Sequence, residues 1–275
     1  MGDSIYRRAF VFPGQGVVGG EVAGEVRKAV EKATGGKETP YQLSVFASSM
    51  TLFYALVGAG YSPDVVAGHS LGEYAAVCAA GVVSLDDAVR LVSERDRLMN
   101  EAGAGRPGGM VALIGADAAA VEEAVSGVSG TVVAANFNTP RQLVLSGEKA
   151  ALDKVTEGLK GRKVPLEVAG AFHSPLMESA AERMEKLLDA TGFSEPDFPV
   201  VGATDGTLLT GAASVKDALK RQMLAPVRWV DVIGRFDALG VREIVECGEG
   251  GTLVRMLRDF KGLDFDGRKA TEVLA

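Results

Sequence analysis

Residues 65–74 constrain this chain more than any other stretch, because they predict a strand, a sharp turn and a helix in immediate succession. A β-branched run ends in Gly68-His69-Ser70-Leu71-Gly72, and an Ala-rich helical pattern follows over residues 73–80. Glycines at these positions let backbone segments approach more closely than a Cβ allows, which raises Ser70 to the tip of the turn. The first N–H groups of the helix then face any negative charge beside the serine oxygen. The pattern predicts a nucleophilic serine, although a chance match in a chain with 35 glycines stays open.

Composition limits the classes of protein that this chain can represent. With 275 residues, 47% of them hydrophobic, it can bury a large core as one domain, or as one main domain with a smaller insert. No apolar run approaches the ~18 residues of a membrane span, and the formal charge of −7 argues against nucleic acid as the main partner. Cys78 and Cys247 have no metal or redox spacing. We therefore expect a cytoplasmic monomer that binds neither membrane nor nucleic acid.

The hydrophobic periodicity predicts strands and helices in alternation along most of the chain. Strands are predicted over residues 8–12, over the run that ends at residue 68, and over residues 200–203 and 243–247. Helices are predicted over residues 21–33, 42–58, 73–80, 84–99, 175–191, 214–224, 229–239 and 252–260. This order indicates a mainly parallel sheet with helices on both faces, whose sites lie at the carboxyl ends of the strands.

Residues 110–168 follow a different pattern of shorter segments. Strands are predicted over residues 110–114, 131–136, 142–146 and 163–168, with helices over residues 117–126 and 149–160. The resulting β-α-β-β-α-β order is the arrangement of a ferredoxin-like unit. A Gly-rich stretch, residues 102–109, is predicted to be the linker before it. We therefore predict a large α/β domain from residues 1–108 and 170–275, and an inserted ferredoxin-like subdomain over residues 109–169.

A nucleophilic serine needs a base, and the sequence contains only two histidines. His69 adjoins Ser70 within the turn, where neighbouring side chains point apart, so it is a poor base. His173 follows a predicted strand and precedes a predicted helix, which places it at the same edge of the sheet. A structural histidine at a helix start is the alternative, but a serine turn without another histidine favours a Ser70–His173 pair. Such a pair could serve hydrolysis or acyl transfer, and the residues alone do not separate the two.

Five motifs together resemble those of malonyl-CoA:acyl carrier protein transacylases and the related polyketide synthase acyltransferases, including free-standing ones. The resemblance covers residues 9–257. The motifs, in chain order, are Phe12-Pro13-Gly14-Gln15-Gly16, Gly68-His69-Ser70-Leu71-Gly72-Glu73-Tyr74, Asn136-Phe137-Asn138, Ala171-Phe172-His173-Ser174 and Pro226-Val227-Arg228-Trp229. The resemblance implies a hydrolase-like α/β domain with a ferredoxin-like insert, which agrees with the pattern. It also implies transfer of a malonyl group from malonyl-CoA to the phosphopantetheine thiol of an acyl carrier protein, for fatty acid or polyketide synthesis.

The resemblance assigns roles to residues at the matching positions. Ser70 is implied to be the acylated nucleophile and His173 its base. Backbone N–H groups of Gln15 and Leu71 are implied to form the oxyanion hole. The backbone carbonyl of Gln222 is implied to orient the histidine in place of the usual acid. No metal and no bound cofactor are implied, and malonyl-CoA is a substrate.

Three further positions bear on the substrate. Arg95 matches the arginine that holds the free malonyl carboxylate, a task that suits a planar guanidinium with paired donors. Phe172 matches the malonyl-selecting version of its motif, in which the ring occupies the space that an α-methyl group needs. Asn138 is predicted to line the site, with a turn role before Pro140 as the alternative.

Three departures from the family pattern and several alternatives stay open. The segment between Gln15 and Ser70 is short, and Val17-Val18 replaces a polar Ser-Gln pair; Glu249 stands where proline is more common. A serine hydrolase or thioesterase, a trans-acting polyketide acyltransferase and a non-catalytic interaction module are the alternatives. An acidic carrier protein needs a basic face, for which the candidates are Lys160, Arg162, Lys163, Arg255, Arg258 and Lys261.

Overall fold

The computed structural model describes residues 6–15 and 22–275. The strands in this part are β1 (Arg8–Phe12), β2 (Val65–Gly68), β3 (Gly108–Ile114), β4 (Val132–Thr139), β5 (Gln142–Glu148), β6 (Arg162–Leu166), β7 (Val200–Val201), β8 (Leu208–Leu209), β9 (Glu243–Glu246) and β10 (Asp266–Lys269). The helices are α1 (Gly24–Thr34), α2 (Tyr41–Gly58), α3 (Gly72–Ala79), α4 (Leu85–Gly105), α5 (Ala118–Ser126), α6 (Lys149–Glu157), α7 (Glu178–Asp189), α8 (Ala212–Gln222), α9 (Trp229–Leu239), α10 (Thr252–Met256) and α11 (Ala270–Val273). Short 3₁₀ helices at Pro175–Met177 and Leu257–Asp259 precede α7 and follow α10.

The larger sheet brings the ends of β1 and β2 together. Within the described residues it has the strand order β10-β9-β1-β2-β7-β8. All neighbours pair in parallel except β7 and β8, which are antiparallel. In the register of β1 and β2, Phe12 lies opposite Gly68. The loop that follows β1 and the turn that follows β2 therefore start side by side at the carboxyl edge of the sheet.

Both faces of this sheet are covered, which explains why residues 9–12 of β1 and all of β2 and β7 are apolar. Phe10 and Phe12 pack into the core formed with α2, α3 and α4. Ala9 and Val11 face the opposite core, which contains Trp229 and other side chains of α9. This is the doubly covered parallel sheet that the alternating pattern predicts.

The smaller sheet has the order β4-β5-β3-β6, with antiparallel neighbours, among the described residues. Helices α5 and α6 share a hydrophobic cluster with one of its faces. This is the ferredoxin-like order that the sequence predicts, and the fold class is confirmed. We propose that residues 109–169 form the subdomain, with residues 1–108 and 170–275 forming the large domain.

Several details differ from the sequence predictions. Residues 102–109, predicted as a linker, form the end of α4 and the start of β3. Gly103 lies within α4. A glycine is needed at this position because a Cβ there would lie 2.2 Å from the carbonyl oxygen of Ala169. Strand β10 and helix α11 were not predicted, since β10 is the polar sequence Asp-Gly-Arg-Lys at the edge of the sheet. The predicted helix start at Glu21 lies outside the described residues, as do Gly16, Val17 and Val18.

None of the helices in residues 6–15 and 22–275 combines the length and apolar character that a membrane crossing requires.

Candidate active site

The turn after β2 holds Ser70 in a left-handed backbone conformation with φ of 53°. A serine rarely adopts this conformation, and such strain is typical of functional positions. The flanking glycines permit it: a Cβ on Gly68 would lie 2.0 Å from the carbonyl carbon of Gly72, and one on Gly72 would lie 1.9 Å from the Phe12 oxygen. Helix α3 starts at Gly72, so Ser70 lies beside the positive end of that helix.

His173 contacts Ser70 from the segment between β6 and the 3₁₀ helix at Pro175–Met177. It too has a positive φ, 56°, and its Nε2 lies 2.7 Å from Ser70 Oγ. The Nδ1 atom faces two carbonyl oxygens, those of Gln222 at 3.0 Å and Ala225 at 3.1 Å. Carbonyls only accept hydrogen bonds, so Nδ1 carries the proton and Nε2 presents its lone pair to the serine hydroxyl.

Burial and the positive charge of Arg95 lower the pKa of His173 to about 3. The ring is therefore neutral at physiological pH, which is the protonation state that a general base requires. The two backbone carbonyls would stabilise the imidazolium that forms when Nε2 takes a proton. The pair thus has the geometry and charge state of a nucleophile with its base.

Arg95 of α4 lies against the same hydroxyl, although it is 25 residues from Ser70 in sequence. Its side chain is only 2% exposed, and Nη2 donates to Ser70 Oγ at 3.1 Å and to Gln222 Oε1 at 3.3 Å. Its Nη1 donates to Gln42 Oε1, and its Nε has no partner among the described residues. A buried guanidinium beside a nucleophile is a suitable site for a carboxylate on the acyl group.

The Gln222 side chain connects these groups to a buried acid. Its Nε2 donates to the backbone oxygen of Ser70 at 2.8 Å and to Glu73 Oε2 at 2.8 Å. Glu73 Oε1 accepts from the backbone N–H of Ala203 at 2.9 Å. Burial raises the pKa of Glu73, while the two donors favour its ionised form. Gln222 therefore contacts the peptide of Ser70, the ring of His173 and the guanidinium of Arg95.

The remaining predicted residues surround this centre. Gln15 is exposed at the cavity, and a Cβ on the preceding Gly14 would lie 3.3 Å from Ser70 Cβ, so this loop adjoins the turn. Leu71 is buried immediately before α3. Asn138 lines the cavity and its Oδ1 accepts from His69 Nε2 at 2.8 Å. Phe172 lines the cavity and packs against the hydrophobic cluster on the inner face of the small sheet.

The cavity between the two sheets has a volume of about 430 Å³. Its wall combines the polar groups above with apolar side chains, which include Met99, Met110, Val144 and Leu253. A cleft of this size with few convergent polar groups is typical of a small-molecule site. In the described part of the chain, no three His, Cys, Asp or Glu side chains come together as metal ligands would.

Comparison with known proteins identifies the family. Residues 34–259 match the acyl transferase domain family. The chain belongs to this family. The curated malonyl CoA-acyl carrier protein transacylase of Bacillus subtilis is 35% identical over 282 aligned positions, which cover 91% of this chain and 89% of that protein. The same name is given to the Salmonella typhimurium relative, which is 40% identical over 72% of this chain and 66% of its own length.

Solved structures of the family agree with the fold. A malonyl transacylase from Streptococcus pneumoniae superposes with a TM-score of 0.87 at 31% identity and covers 98% of this chain and 99% of its own. A malonyl-transacylase in complex with a type II polyketide synthase acyl carrier protein superposes with a TM-score of 0.83 at 30% identity, over 96% and 94% of the two chains. The resemblance in the sequence motifs is thereby confirmed.

Sequence reasoning missed three members of the site. The backbone oxygen of Ala225 accepts from His173 Nδ1 together with that of Gln222. No feature of the sequence before Pro226 indicates this contact. Glu73 is a charged residue on a helix whose other positions are apolar or aromatic, which was a usable signal. Gln42 lies 53 residues before Arg95, and only the packing of α2 against α4 reveals their contact.

Proposed function

We propose that this protein transfers a malonyl group from malonyl-CoA to the phosphopantetheine thiol of an acyl carrier protein, through a malonyl ester of Ser70. One observation carries the proposal: a single hydroxyl, Ser70 Oγ, lies 2.7 Å from the base His173 and 3.1 Å from the buried cation Arg95. The first contact supplies acyl-transfer chemistry, and the second supplies selection for an acyl group that ends in a carboxylate. The names of the relatives support the same reaction.

In the first half-reaction, His173 Nε2 takes the proton of the Ser70 hydroxyl while Oγ attacks the thioester carbon of malonyl-CoA. Backbone N–H groups of Leu71 and Gln15 would hold the oxyanion, assisted by the positive end of α3. The carbon–sulfur bond then breaks, and the CoA sulfur takes the proton from the imidazolium. The products are malonyl-Ser70 and CoA with a free thiol.

In the second half-reaction, the phosphopantetheine thiol gives its proton to His173 and its sulfur attacks the ester carbon. The carbon–Oγ bond breaks and Oγ recovers the proton from the imidazolium. Malonyl-carrier protein leaves and the enzyme returns to its starting state. Throughout, the carbonyls of Gln222 and Ala225 hold the ring so that Nε2 faces the reacting atoms.

Substrate selection would rest on Arg95 and Phe172. The malonyl carboxylate would take up guanidinium N–H groups, of which Nε already lacks a partner among the described residues. The Phe172 ring would exclude an α-methyl group, favouring malonyl over methylmalonyl. Asn138, whose carboxamide lies between His69 and Gln142, would line the path of the acyl group.

The carrier protein would approach over exposed basic residues near the cavity. Arg255, Arg258 and Lys261 lie on and just after α10, whose Thr252, Leu253 and Met256 line the cavity. Lys160, Arg162 and Lys163 lie just before and at the start of β6, at the other end of the strand from Leu166, which also lines the cavity. We propose a monomer in the cytoplasm, a reducing compartment that suits two buried free cysteines.

The test is transfer by the purified full chain from malonyl-CoA to holo-acyl carrier proteins of fatty acid and polyketide synthesis, with released malonate measured in parallel. We expect malonyl-carrier protein to exceed free malonate, and we expect Arg95→Ala to abolish most malonyl transfer. A serine hydrolase would instead release malonate whether or not a carrier protein is present. That result, or an Arg95→Ala variant with the wild-type rate, would overturn the proposal.

A further inference from the structure

The direct partners of Arg95 are all neutral, which is unusual for a buried cation. They are the carboxamide oxygens of Gln42 and Gln222 and the hydroxyl of Ser70. The Tyr74 ring lies 5.6 Å from the guanidinium carbon, and burial raises the pKa of its hydroxyl to about 12, so it too is neutral. None of the ion pairs between described residues includes Arg95. A charge buried in this way is costly unless a counter-ion arrives.

A nearby arginine shows the contrast. Arg97 lies on the same helix, is exposed, and forms ion pairs with Glu94 and Glu101. Arg95, which is almost fully buried and so has more to gain from a counter-ion, forms no ion pair with any described residue. The carboxylate closest to it in sequence, Asp96, accepts instead from the backbone N–H of Gln42 at 3.2 Å and from Asn100 Nδ2 at 2.9 Å. Glu73 also acts on the guanidinium electrostatically, but its two oxygens accept from Ala203 N–H and Gln222 Nε2. Both acids near the guanidinium are thus held by other donors, and neither forms an ion pair with it.

Gln42 is fixed in the orientation that this arrangement requires. It lies in the first turn of α2, is 8% exposed, and contacts α4 through both its backbone and its side chain. Its Nε2 faces Met99 Sδ at 3.7 Å, which leaves Oε1 to accept from Arg95 Nη1. The carboxamide therefore has one productive orientation, with oxygen toward the guanidinium.

We propose that Gln42 is a specificity-determining positioning residue, which holds Arg95 in place by a neutral acceptor and so leaves its charge free for the substrate carboxylate. A glutamate would hold the same donor equally well but would supply the counter-charge itself. The malonyl carboxylate would then compete with an internal ion pair. This inference rests on the proposed function, because it explains how Arg95 stays available to that substrate.

The test compares acylation of Ser70 by malonyl-CoA and by acetyl-CoA, which lacks the carboxylate, in the wild type and Gln42→Glu. We expect kcat/KM for malonyl-CoA to fall by about 10- to 100-fold, the factor that one charge-assisted hydrogen bond contributes. The value for acetyl-CoA is expected to stay level or rise. A parallel fall for both thioesters, or an unchanged ratio between them, would overturn the role of Gln42.

Two further variants serve as controls for this test. Gln142→Glu makes the same change beside the cavity, where Gln142 Oε1 accepts from the neutral Asn138. This variant should keep the wild-type ratio of malonyl to acetyl kcat/KM. A shift in that ratio equal to the shift in Gln42→Glu would attribute the effect to general charge repulsion and overturn the proposal. If Gln42→Glu does not fold, Gln42→Met removes the acceptor without adding charge. It should lose malonyl loading and keep acetyl loading, and equal losses would contradict the inference. A wild type that loads neither thioester would overturn the proposed function, and this role with it.

Discussion

Replacing Glu73 by glutamine tests whether the Glu73–Gln222 contact sets up the site. The two oxygens of Glu73 accept from two donors, Ala203 N–H at 2.9 Å and Gln222 Nε2 at 2.8 Å, and the residue is 1% exposed. A glutamine at position 73 offers only one oxygen. Either its own NH₂ group faces the Ala203 N–H, or Gln222 turns over and presents its NH₂ group to Arg95.

Both outcomes leave a buried donor without an acceptor, which costs about 1–3 kcal/mol. If Gln222 turns over, its bonds to the Ser70 oxygen and to Arg95 Nη2 are lost as well. We therefore expect Glu73→Gln to lower the free energy of unfolding in urea by about 1–3 kcal/mol. We also expect kcat/KM for malonyl-CoA to fall more than that for acetyl-CoA, because the guanidinium loses an acceptor that positions it.

Glu246→Gln is the matched control. Glu246 is also fully buried, and its two oxygens accept from the backbone N–H groups of Thr252 and Val254 at 2.9 and 3.0 Å. The same loss of stability is expected there, without a change in the ratio of malonyl to acetyl loading. The reasoning fails if Glu73→Gln unfolds at the wild-type urea concentration, or if both variants shift the ratio equally.

Three further predictions follow from the geometry. Burial and Arg95 lower the pKa of His173 to about 3, so kcat/KM for malonyl loading should stay level as pH falls below about 6.5, the ordinary histidine pKa. A fall in kcat/KM with an apparent pKa near about 6.5 would contradict the assignment of His173 as the base. Phe172→Ala should raise methylmalonyl loading relative to malonyl by about tenfold in competition assays, as one methyl group contributes about 1–3 kcal/mol; an unchanged ratio would show that the ring does not select. Gly72→Ala should prevent correct folding, because its Cβ would lie 1.9 Å from the Phe12 oxygen. Gly234→Ala is the control: no atom lies within 4 Å of the added Cβ, and the change should stabilise α9 by about 0.5–1 kcal/mol. The melting temperatures of the two variants distinguish these outcomes.

The sign of the His173 effect on stability also follows. Its folded pKa is lowered, so below about 6.5 the unfolded chain binds a proton that the folded chain refuses. Stability is therefore expected to fall as pH drops from that value toward about 3. Activity per folded molecule stays level over the same range, so the pH profile must be measured at temperatures where the protein remains folded.

The parts of the fold that the sequence predicted are those where local pattern and tertiary packing agree. The strand–turn–helix around Ser70 is dictated by Gly68 and Gly72, whose missing Cβ atoms are required by the packing that the structure shows. The β-α-β-β-α-β order could be predicted because each short segment has its own periodicity. Residues 102–105 were predicted wrongly as linker, because a glycine needed for close approach to Ala169 looks, in sequence, like a glycine that ends a helix.

The hydrogen-bond partners within the site were less accessible from the sequence. Arg95 could be singled out only through the resemblance, since Arg90 and Arg97 on the same helix have the same chemistry. Gln42 and Glu73 contact their partners across 53 and 149 residues, and no local pattern specifies such contacts. β10 was missed because an edge strand can be polar, so the alternation that predicts strands is absent from it.

The most direct test of the central claim is the intact mass of the protein after mixing with malonyl-CoA in the absence of a carrier protein. We predict a gain of one malonyl group, located at Ser70 by peptide mapping, absent from Ser70→Ala and discharged when a holo-acyl carrier protein is added. Failure to detect an adduct on the wild type, or an adduct of the same mass on Ser70→Ala, would contradict the account.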